Sequence, residues 1–124
     1  MATLLIDAEK YVSNLLNNKL ATNYVYHNLV HTQGVVKSIE KFIEKLAIPE
    51  IDAENLQVAA WFHDTGFIKG AENHEEESVK ILTLFLTKKN VEVKRIETIS
   101  NLILATKIGH EATNDLEKIF PWII

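Results

Sequence analysis

Apolar residues recur along this chain every three to four positions with polar residues between them, the period of helices packed on one side. Leu5, Val12, Leu16 and Leu20 mark one face of a first helix, which gives way to a polar stretch around Ala21 to Asn23. A second pattern begins near Tyr26. There Val35, Val36, Ile39, Phe42, Ile43 and Leu46 share a face, with Lys37, Glu40, Lys41, Glu44 and Lys45 opposite. Pro49 separates it from a third helix, with Asp52 the predicted N-cap, running from Ala53 to about Asp64 and Gly66 just past its end. From Leu56 to Phe62 that helix is apolar nearly all round, which predicts a place at the centre of a bundle.

Phe67 to Glu72 reads as a loop. Asn73-His74-Glu75-Glu76 has the spacing of a capping box, and Glu75 to Glu77 complement the dipole at the start of a fourth helix. That helix carries Val79, Ile81, Leu82, Phe85 and Leu86 and closes at Lys88-Lys89-Asn90. Val93, Ile96, Ile99, Leu102 and Ile103 give a fifth helix, ending near Lys107. Asn114-Asp115-Leu116-Glu117 repeats the capping-box spacing and starts a short sixth helix, which Pro121 is expected to stop. No run alternates as a half-buried strand does. The fold class is all-α, a bundle of about six helices.

Composition narrows this picture without redirecting it. At 124 residues the chain has the size of one domain, residues 1–124, and its 47% hydrophobic and 24% charged residues are those of a globular protein. A net charge of -4 argues against nucleic-acid binding and against attraction to an anionic membrane. Cysteine is absent, which excludes disulfides, thiolate metal sites and cysteine nucleophiles. The first residues carry Asp7 and Glu9 and lack the pattern of a signal peptide, and no apolar run approaches the roughly 18 residues of a spanning helix. A soluble cytoplasmic domain is the expectation. The chain end is unusual: Ile119, Phe120, Trp122, Ile123 and Ile124 are expected to pack on the core, on a second subunit in a homodimer, or on sequence outside this stretch.

The candidate chemistry lies at helix ends. His63-Asp64 closes the apolar run of the third helix, and a buried carboxylate beside an imidazole costs several kcal/mol unless something pairs with both. A divalent metal ion suits both groups. His27 and His31, four apart, share a face at the start of the second helix. A short connection between antiparallel helices brings that start beside the end of the third, and ligands converge at one end of the bundle. Two histidines and a carboxylate leave positions open for water or substrate, and the mixture suits Mn, Fe, Co, Ni or Zn better than Mg. Each piece also has a structural reading: His27 and His31 as surface residues, His63 as a helix C-terminal cation, His74 as decoration of a helix start.

The ordered series Tyr26-His27-Asn28-Leu29-Val30-His31-Thr32, Phe62-His63-Asp64-Thr65-Gly66-Phe67, Asn73-His74-Glu75-Glu76-Glu77-Ser78 and Ile103-Leu104-Ala105-Thr106-Lys107 resembles the HD superfamily of metal-dependent phosphohydrolases. It is most similar to the bacterial branch found alone or appended to nucleotide-cyclase domains, over residues 24 to about 118. The resemblance implies one or two divalent ions held by a His, a His-Asp pair and a later Asp. His31 matches the first His, and His63 and Asp64 the pair. His74 matches a histidine of a second metal site or phosphate contact, and His27 one near the substrate mouth. Glu75 is placed as general base or as a group orienting its neighbours. Phe67 and Ile68 stand where the branch acting on hyperphosphorylated guanine nucleotides has an acidic pair, which argues against that activity. The family's last Asp is not found: Ile119 to Ile124 stand in its place, as if the domain were shortened, and Asp115 is the nearest acid.

Two functions follow. One is hydrolysis of a small phosphate ester such as a nucleotide, with metal-activated water attacking phosphorus, Asp64 and Glu75 in the chemistry, and Lys69 or Lys107 balancing charge on the phosphoryl oxygens. The other is a non-catalytic module of the same shape that binds metal or nucleotide and serves regulation or assembly.

Overall fold

The structure, a computed structural model, describes residues 2–19 and 29–124. Among these, the regular elements are α1 (Ala2–Lys19), α2 (Leu29–Leu46), α3 (Glu50–Phe62), a 3-10 turn (Thr65–Lys69), α4 (His74–Lys88), α5 (Val93–Leu104) and α6 (Asp115–Ile123). The all-α expectation holds. The predicted end of the first helix, the predicted start of the second near Tyr26, and His27 itself lie outside the described residues.

Helical spacing translates directly into the core. Ala8, Val12 and Leu16 of α1, Val35, Val36 and Ile39 of α2, and Leu82, Phe85 and Leu86 of α4 are all buried at intervals of three or four. In α3, Leu56 and every residue from Val58 to Phe62 are buried, and α1, α2, α4 and α5 all pack against this helix. It is the central helix, as its all-round apolar character predicts. The apolar stripes overrun the core at their ends, where Leu46 and Val93 are exposed. A buried polar tie joins α3 to α5: Arg95 donates to the Glu54 carboxylate and, at 2.8 Å, to Asn55 Oδ1.

Three expected boundaries are corrected. Asp52 does not cap α3, because Pro49 sits at the N-cap and its carbonyl takes the Ala53 N–H at 2.8 Å, so Asp52 falls inside the first turn. Asn73 does precede α4, but in the left-handed region (φ 56°), where its side chain makes no capping bond. Its carbonyl instead accepts from Glu77 N at 3.1 Å. Pro121 does not stop α6 but lies within it. The ring forfeits one backbone bond in the last turn, while fully buried Phe120 anchors that turn to the core. The second expected box forms in part: Asn114 Oδ1 accepts from Glu117 N at 2.9 Å, while the Glu117 carboxylate accepts from Thr113 N, one residue before the cap, at 3.0 Å.

The apolar chain end is divided. Phe120 is fully buried, Ile123 and Ile124 pack partly against the core, and Trp122 is 90% exposed. Phe120→Ala is therefore expected to lower unfolding stability by about 3–5 kcal/mol, whereas Trp122→Ala stays within about 0.5 kcal/mol, both read by urea denaturation.

Candidate metal centre

The end of α3 runs into a tight turn that carries the His63-Asp64 pair. His63 keeps helical dihedrals (φ -59°, ψ -30°), and Asp64 (φ -110°, ψ 6°) leads into the 3-10 turn, which replaces the first part of the loop expected from Phe67 to Glu72. Thr65 Oγ1 donates to the Phe62 carbonyl at 2.8 Å and closes the turn from inside. Gly66 then meets α4 so closely that a Cβ on it would lie 1.9 Å from the His74 carbonyl oxygen. Only a residue without a side chain permits that approach. Ser78, fully buried one helical turn after His74, accepts from Gly66 N at 2.8 Å and donates to the His63 carbonyl at 3.0 Å. One hydroxyl thus fastens the turn bearing Asp64 to the helix bearing His74.

Three imidazoles surround the buried Asp64 carboxylate. His63 Nε2 is 3.2 Å and His31 Nε2 3.5 Å from Asp64 Oδ2, while His74 Nε2 is 3.8 Å from Oδ1. His63 Nδ1 lies 2.6 Å from the Ala60 carbonyl. A carbonyl only accepts, so Nδ1 carries the hydrogen, and in the neutral ring Nε2 presents a lone pair to the carboxylate. Two lone pairs that close repel unless a cation or a proton lies between them. His74 repeats the arrangement, its Nδ1 toward the Ala71 carbonyl at 3.3 Å and its ring stacked on Phe67 at 4.1 Å.

A metal ion fits this donor set. Two ligands about 2.1 Å from a tetrahedral ion stand about 3.4 Å apart, close to the separations from Asp64 Oδ2 to His63 and to His31. The donor atoms of His31, His63 and Asp64 all lie within 4.8 Å of one another, and a backbone carbonyl fixing the far nitrogen is the usual support of a ligating histidine. His74 stands on the opposite oxygen of Asp64, outside that trio, with Glu75 Oε2 3.3 Å from its Nε2. Asp115 is exposed at the start of α6 and does not belong to the trio.

The two cations differ in setting. Lys69 is exposed at the end of the 3-10 turn. Lys107 forms an ion pair with Glu76, two residues beyond His74, so it is brought to the rim of the site already partnered. That pairing holds the Glu76 carboxyl below its usual 4.5 and the Lys107 ammonium above its usual 10.5. Glu76 thus favours the folded state above the ordinary carboxylate range and loses that contribution as pH falls through its lowered value. Lys107 contributes below 10.5 and loses it as pH rises through its raised value.

Sequence reasoning missed Ser78 and misread Gly66 as a helix end. Ser78 was accessible in principle, since it continues the buried stripe of Leu82 and Phe85, where a hydroxyl needs partners. The Ala60 carbonyl leaves no signal in side-chain identity. Ser78→Ala is expected to cost about 2 kcal/mol of stability and to weaken Zn or Mn binding roughly tenfold by calorimetric titration. Gly66→Ala is expected to exceed it on both measures, because the clash is with backbone.

A family model described as the HD domain matches residues 28–120. No curated protein matches the chain, and no solved structure does. The matched span contains the His31, His63 and Asp64 trio and covers well over half of the sequence, and the chain belongs to the HD domain family.

Proposed function

We propose that this protein is a metal-dependent phosphohydrolase acting on a nucleotide or another small phosphate ester. The observation that carries the reading is the convergence of His31 Nε2, His63 Nε2 and Asp64 Oδ2, with the His63 tautomer set by Ala60. These three residues would hold a divalent ion. Such an ion supplies an acidified water and a Lewis acid for a phosphoryl oxygen.

The chain's own residues do the rest. Asp64 uses one oxygen toward His31 and His63 and keeps the other for His74, so it links the trio to the mouth of the site. Glu75, with its Oε2 3.3 Å from His74 Nε2, would help position that imidazole and serve as the general base beside it. His74 presents its Nε2 where a phosphoryl group would approach, with Phe67 packed behind the ring. Lys107 offsets the negative charge of Glu75 and Glu76 at the rim, which an anionic substrate would otherwise meet unscreened. Lys69 and His27 remain assigned to substrate contact on their sequence positions. A specific observation favours the binding-module reading as the second: Asp115 does not join the trio, so the described residues supply three protein donors.

A phosphatase screen with p-nitrophenyl phosphate, its bis-ester and nucleoside phosphates, run with Mn, Co and Ni, tests the proposal. Hydrolysis is expected, with a loss of about 100-fold or more in His63→Ala and Asp64→Ala, while Lys107→Ala raises KM more than it lowers kcat. Activity surviving Asp64→Ala sinks the assignment. Metal bound by those three residues without turnover of any ester supports the binding module.

A further inference from the structure

Outside the metal centre, one cleft concentrates positive charge on a protein whose net charge is -4. It lies between the first half of α1 and the last turn of α4 and encloses about 370 Å³, within the size range of small-molecule sites. Lys10, Lys88 and Lys89 line it against a single acid, Asp7. Asp7 is taken by Lys89 at 2.8 Å, while Lys10 and Lys88 are exposed without an ion-pair partner among the described residues. Two positive charges are left over.

The floor between these lysines is aromatic. Tyr11 and Phe85 pack with centroids 5.1 Å apart, and both rest on Phe62, at 5.9 and 5.2 Å. Phe85 is buried, but Tyr11 keeps 40% of its surface exposed, and Leu84 beside it 63%. Lys88 and Lys89 alone would be explained as cations complementing the C-terminus of α4. That account covers neither Lys10, in mid-helix on α1, nor the open faces of Tyr11 and Leu84.

We propose that this cleft is a second binding site, for a nucleotide or a similar aromatic phosphate, separate from the His63-Asp64 centre. A planar ring stacks on the open face of Tyr11 and covers Leu84, and its phosphate oxygens take charge-assisted bonds from Lys10 and Lys88. The proposal does not rest on the phosphohydrolase reading, because binding here needs neither metal nor turnover. The floor of the cleft does adjoin that centre, since Phe62 immediately precedes His63.

Calorimetric titration of the full chain with ADP, in EDTA to prevent hydrolysis, tests this, with inorganic pyrophosphate as the comparison. Saturable ADP binding is expected, weakened about tenfold or more by Lys10→Glu combined with Lys88→Glu, and unchanged in His63→Ala. Tyr11→Leu, which keeps apolar bulk over Phe62, is expected to weaken ADP about tenfold and to leave pyrophosphate unchanged, with circular dichroism confirming the fold. No saturation below about 5 mM, equal affinity for ADP and pyrophosphate, no effect of the lysine reversals, or loss of binding in His63→Ala each overturns the proposal.

Discussion

A single buried hydroxyl joins the two halves of the candidate metal centre. Ser78 of α4 bonds the His63 carbonyl and the Gly66 N–H, two backbone groups of the turn that would otherwise be buried with fewer partners. Gly66 lets that turn lie flush on α4, where a Cβ would collide with the His74 carbonyl. The position of Asp64 relative to His74 follows from this contact. So does the stack of Phe67 on the His74 ring, since Phe67 belongs to the same turn. Buried polar networks have this property: fully satisfied, they permit one arrangement and penalise the rest.

The His31, His63 and Asp64 cluster would be unfavourable as plain protein. A largely buried carboxylate faces three imidazoles, two of them with their Nδ1 turned to a backbone carbonyl on the far side. Helix packing forces these groups together, because α3 ends where α2 begins and the 3-10 turn is pressed onto α4. The energy that holds them there comes from the apolar residues of α3, the most deeply buried segment of the molecule. Stability and site are therefore built on one helix.

How much of this was legible beforehand depends on the kind of signal. The six helices, the central place of α3 and the pairing of His31 with His63 and Asp64 followed from period, spacing and motif order. The caps were less legible. Asp52 and Asn73 had suitable side chains, but Pro49 and a left-handed Asn73 took over those starts, because a cap depends on dihedrals that residue type only biases. Pro121 misled for a related reason: in a short terminal helix, the burial of Phe120 outweighs one lost backbone bond.

By itself the sequence determined which residues are apolar on which face, and hence an all-helical bundle with its chemistry at helix ends. Those patterns are local, set by the 3.6-residue period of the backbone. The tertiary structure alone decided the rest: the orientation of His63 by the Ala60 carbonyl, the clamp of Ser78 on the turn, the capture of Lys107 by Glu76, and the basic aromatic cleft between α1 and α4. Each of these joins backbone atoms or side chains whose meeting depends on how helices dock. Residue identity leaves that undetermined, since many partners of equal chemistry are present and packing selects among them.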